Sequence, residues 1–124
     1  MIESSPPPLP DEQHDLLQLL AHAYLKFGKP QQASILLQAI SALRPDDPGI
    51  AKALAYALLR SGNPEEALSL LERLREHGDH GALTYLLHGQ ALFLAGRADE
   101  AGRSMRMFVK VRAMAALEGQ TWTP

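Results

Sequence analysis

Residues 55–71 read AYALLRSGNPEEALSLL, an apolar helical run that stops at Gly62 and a second that starts two residues later at Pro64. The glycine recurs 34 residues upstream as Gly28 and 34 downstream as Gly96, with no insertion or deletion between the copies. Small residues keep the period at Ala33, Ala67 and Ala101, and at Ala21, Ala55 and Gly89. Large apolar residues keep it at Leu37, Leu71 and Met105, and at Ile40, Leu74 and Phe108. Each phase has a physical reason. A glycine reaches the left-handed conformation that closes a helix without steric cost. Small residues let two antiparallel helices approach closely. Pro30 and Pro64 fall in the first turn of a second helix, where a missing N–H costs nothing. Glu65, Glu66, Asp99 and Glu100 place negative charge near positive helix ends. The period predicts an all-α protein built from three antiparallel helix hairpins and no sheet.

Outward from that stretch, the apolar spacing predicts helices over about 11–27, 30–43, 49–61, 64–77, 82–95 and 98–117. Asp11 is expected to cap the first, which should bury Leu16, Leu17, Leu20, Ala21 and Tyr24. Residues 1–10, with prolines at 6, 7, 8 and 10, form an arm that cannot join a helix. Residues 118–124 form a tail in which Trp122 is expected to lie over the last helix. The repeat domain between them runs from 11 to 117. His77 to Gly81, a loop without a proline, is expected to be the flexible joint. The fifth and sixth helices carry apolar residues around more of their circumference than one hairpin covers, so their exposed faces call for a partner or a self-contact.

A 34-residue helix-turn-helix period carrying these glycine and small-residue phases resembles the tetratricopeptide repeat, in copies over 14–47, 48–81 and 82–115. The large residue at position 4 of that pattern is Leu17, Ala51 and Tyr85, and position 7 is Leu20, Leu54 and His88. Ala51 and His88 depart from it, and only Pro45 matches the closing proline. The resemblance implies a short right-handed solenoid whose first helices line a concave, protein-binding groove. On the family's pattern that groove is lined by Gln18, His22 and Leu25, then by Lys52, Tyr56, Leu59 and Arg60, then by Leu83, Leu86, Gln90, Phe93 and Leu94. It grades from polar to apolar. Relatives that clamp an acidic carboxyl terminus use Lys, Asn and Arg where this chain has Gln18, His22, Tyr56, Leu86 and Gln90, so a heat-shock co-chaperone is not expected.

With 124 residues, three stacked repeats account for the whole chain as one domain. A formal charge of −2 gives no bulk attraction to nucleic acid. No apolar run reaches membrane-spanning length, and the amino terminus lacks the pattern of a secretory signal, so a cytoplasmic protein is expected, without nucleic acid or membrane insertion. The chain has no cysteine, hence no disulfide, thiolate metal site or cysteine nucleophile. His14, His22, His77, His80 and His88 are scattered and form no metal motif, and His88 reads as a packing residue. No phosphate-binding glycine loop or serine elbow is present. Neither catalysis nor a cofactor is expected.

The stretches ASILLQAISALRP (33–45) and AGRADEA (95–101) resemble small chaperones of bacterial type III secretion, most closely the YscY type, which begins almost at its first repeat and ends soon after its third. That resemblance implies a cytoplasmic chaperone holding a small, YscX-like secretion protein as a 1:1 heterodimer, with further contact to the export apparatus left open. Chaperones of translocator or needle subunits and a general assembly scaffold are the alternatives.

Overall fold

The computed structural model describes residues 10–119, which leaves the Trp122 tail and all of the proline-rich arm but Pro10 outside the described residues. Six helices follow one another: α1 (Asp11–Lys26), α2 (Pro30–Leu43), α3 (Pro48–Arg60), α4 (Pro64–Glu76), α5 (Ala82–Leu94) and α6 (Ala98–Glu118). Among the described residues there is no strand. Every helix boundary falls within one residue of the sequence expectation, because the punctuation is local.

That punctuation is glycine in the left-handed region, with φ of 73° at Gly28, 85° at Gly62, 94° at Gly78 and 81° at Gly96. After each, the next N–H donates back across the last turn: Lys29 to the Tyr24 carbonyl (2.7 Å), Asn63 to Leu58 (2.8 Å), Asp79 to Leu74 (2.9 Å) and Arg97 to Leu92 (2.8 Å). This is the Schellman arrangement, which satisfies carbonyls that would otherwise lack a donor. A β-carbon at any of the four would meet nothing within 4 Å, so the backbone angle and not crowding demands glycine. Gly78 lies in the loop expected to be a flexible joint, yet the loop is tied down. Asp79 Oδ1 accepts from the Gly81 N–H (3.1 Å) and from the Thr84 hydroxyl (2.9 Å).

The chain divides into two compact units, Met1–Asn63 and Pro64–Pro124. In the first, α1 packs on α2 and α2 on α3. Ala33, Ile40, Ile50, Ala55 and Ala57 are wholly buried there. Asp47 caps α3, accepting from the Gly49 and Ile50 N–H groups at 3.0 and 3.3 Å. Its other oxygen lies 3.6 Å from Nε2 of His14, a buried residue of α1.

Two expectations for α1 are corrected. Asp11 is not the cap: Pro10 holds that position, its carbonyl accepts from the His14 N–H, and the Asp11 carboxylate pairs with Arg44 instead. Leu16 and Leu20 are exposed, at 65% and 43%, while His14 and Ala21 turn inward.

In the second unit α5 packs on both α4 and α6, most extensively on α6. Gly89 makes the latter contact possible, since a β-carbon there would lie 3.0 Å from Cε of Met105. Helix α6 is the longest, and of its residues only Ala101 and Ser104 are buried, whereas Val109, Met114 and Leu117 are exposed.

Candidate functional site

The residues assigned to a groove divide between the two units. In the first unit α1 presents His22 at the surface, with Gln18 and Leu25 half-buried. On α3, Tyr56 and Arg60 stand one turn apart and act together: the Arg60 guanidinium donates to the tyrosine hydroxyl at 2.9 Å, and its central carbon lies 5.7 Å from the ring centroid. The phenol is thereby oriented at the surface beside a permanent positive charge. Lys52, one turn earlier, is half-buried. Leu59 is corrected: at 8% exposure it belongs to the core and has no free face to offer.

In the second unit α5 carries the most exposed apolar surface of the assigned set. Leu83, Phe93 and Leu94 are 50%, 68% and 56% exposed, with Leu86 half-buried and Gln90 exposed among them. The opposite face of the same helix buries Thr84, Tyr85, Leu87, His88, Gly89, Ala91 and Leu92. An apolar stripe left in water on a helix otherwise fully engaged is the signature of an interaction surface.

Sequence reasoning did not anticipate a cavity of about 210 Å³ behind that stripe, lined by Arg75, Tyr85, His88, Leu92, Glu100, Arg103, Ser104 and Met107. The signal available for it was His88, a polar residue at a phase where the repeat pattern has leucine. Its Nδ1 lies 2.8 Å from the Ser104 hydroxyl, a buried pair. Burial first, and the Arg75 charge second, hold the His88 pKa below its ordinary 6.5, so the ring is neutral at neutral pH. The Arg75 guanidinium lies 5.6 Å from the Tyr85 ring, and its Nε is buried without a partner. A serine beside a neutral histidine invites comparison with a nucleophilic dyad. The carboxylate of Glu100, however, is engaged by Arg97 through bonds of 3.1 and 2.7 Å, so it does not orient the imidazole. His77, Asp79 and His80 do not form a ligand set: His77 Nδ1 lies 2.7 Å from the Arg73 carbonyl, and Asp79 closes its loop. Among the described residues no group of three His, Asp or Glu could hold a metal ion, and no helix is long and apolar enough to cross a membrane.

Helical hairpins of fixed period, with exposed apolar and aromatic surface on their first helices, define a repeat protein that binds other proteins. The chain belongs to the tetratricopeptide repeat family, whose pattern matches residues 19–79 and 52–113, together most of its length. A comparison with curated proteins finds no significant match.

Proposed function

We propose that this chain is a noncatalytic chaperone of a bacterial type III secretion system, holding a small, YscX-like secretion protein in the cytoplasm as a 1:1 heterodimer. The observation that carries the reading is the exposed stripe of Leu83, Leu86, Phe93 and Leu94 on α5, surface that a solitary chain would leave in water. An amphipathic or extended client segment with aliphatic anchors fits such a stripe. Burying two or three of these side chains contributes roughly 1.5–3 kcal/mol each before the costs of association. On α3, Tyr56 supplies an aromatic anchor, while Lys52 and Arg60 favour acidic client residues and speed encounter. The YscY-type resemblance, centred on residues 33–45 and 95–101, supports the choice of client.

Coexpression with the candidate secretion protein tests this. Leu86→Glu should abolish copurification, and Tyr56→Ala should reduce it about tenfold or more, as loss of a hot-spot residue does. Undiminished recovery with both variants, each still helical, would show that these surfaces do not hold the client. Failure of the wild-type chain to retain any small secretion protein would leave a general assembly scaffold as the function.

A further inference from the structure

Helix α1 carries a second, separate apolar stripe, turned away from the buried His14 and Ala21. Leu16, Leu19 and Leu20 are 65%, 66% and 43% exposed, the C-cap residue Phe27 just past the helix is 74% exposed, and Ala23 lies between them half-buried. With Glu12 these positions follow the i, i+4, i+7, i+8, i+11, i+15 spacing of one helix face. The spacing is also symmetric about its own centre, position 12 mirroring 27, 16 mirroring 23 and 19 mirroring 20. Laid antiparallel against a copy of itself, this helix sets Leu19 and Leu20 against each other at the centre, Leu16 opposite Ala23 on either side, and Glu12 opposite Phe27 at the ends.

The charges follow the same symmetry. The first turn of α1 is acidic, with Asp11 and Glu12, and the last is basic, with Lys26. Lys26 lies one residue from the mirror position of Glu12, so the antiparallel copy brings the two beside each other twice, and the helix dipoles oppose each other as well. A parallel copy would set acid on acid.

We infer that the exposed face of α1 is an isologous dimer interface, occupied by α1 of a second copy of this chain in antiparallel register centred between Leu19 and Leu20. The reading owes nothing to the client or to the α5 stripe, and the residues it uses lie on neither proposed client surface, so each chain keeps one client and pairing through α1 joins two such 1:1 units into a 2:2 assembly. A two-fold interface of this kind uses the same face of both copies and so closes at the dimer.

Sedimentation of the full chain over a range of concentrations tests the inference. The expected result is a reversible dimer, weakened about tenfold or more by Leu19→Glu, which sits at an exposed position and leaves helicity intact. Glu12→Lys should weaken it less, and adding Lys26→Glu to Glu12→Lys should restore it. The natural chain lacks cysteine, so oxidative cross-linking reads the register directly. A mixture of Leu16→Cys and Ala23→Cys chains should form the mixed disulfide, whereas Leu16→Cys alone should not, its two copies lying about 10 Å apart along the helix at 1.5 Å per residue. A chain monomeric at every concentration, a dimer indifferent to Leu19→Glu, or equal cross-linking of Leu16→Cys alone would each overturn it.

Discussion

Helices α1 and α5 occupy the same place in their repeats and meet opposite fates. Helix α5 buries seven of its thirteen residues, whereas α1 buries only His14 and Ala21 of sixteen. Composition does not explain this, because α1 has leucine at 16, 17, 19, 20 and 25. The difference is one of neighbours. Helix α5 is flanked by α4 and α6, while among the described residues α1 packs chiefly on α2. In a linear repeat a helix gains its core from both sides, so the same amphipathic sequence becomes interior in one copy and surface in another.

The largest expected effect separates the two helices directly. Leu92→Ala, at 1% exposure on α5, should cost about 2–5 kcal/mol. Leu16→Ala, at 65% exposure on α1, should stay within about 0.5 kcal/mol. Urea melts at low protein concentration, where α1 is free, measure both; similar costs would mean that α1 is covered by something else.

Next in size comes the face the two helices share. Ala21 and Gly89 are the same small phase of the repeat, both buried. Ala21→Leu and Gly89→Leu should each cost about 1–3 kcal/mol by overpacking, so that α1 and α5 differ on one face only. A tolerated Ala21→Leu would show a looser first hairpin.

The smallest effect is a pH dependence that originates at His88 of α5. Because the folded pKa of His88 is depressed, below pH 6.5 the unfolded chain binds more protons than the folded one. The stability is complete above 6.5 and is lost as pH falls through that value towards the folded pKa. Melts at about pH 7.5 and about pH 5.5 should show the decline, and His88→Leu should flatten it. An unchanged slope in the variant would assign it to other groups.

Most of the fold was legible in the sequence because its signals are short-range. Gly28, Gly62 and Gly96 mark the turns by their backbone needs alone, and Ala33, Ala67 and Ala101 mark the small-residue phase, all wholly or nearly wholly buried. The errors came where two local solutions competed. Helix α1 has two apolar stripes, one through Leu17, Ala21 and Tyr24 and one through Leu16, Leu20 and Phe27, and spacing alone does not say which turns inward. Asp11 has a capping side chain, but Pro10 ahead of it starts the helix and Arg44 engages its carboxylate. Leu59 fits the groove phase by counting, and the structure buries it. The His88–Ser104 pair joins residues 16 apart on different helices, and no local pattern announces it.

Within each unit every packed pair of helices is also consecutive in the chain, α1 with α2, α2 with α3, α4 with α5 and α5 with α6. Contact order is therefore low, and the entropy of closing the connecting segments is small. Each turn is prepared by its own glycine before any distant residue arrives. Such a chain folds on the fast side for its length, helix by helix onto its predecessor, and can begin to do so while still emerging during synthesis.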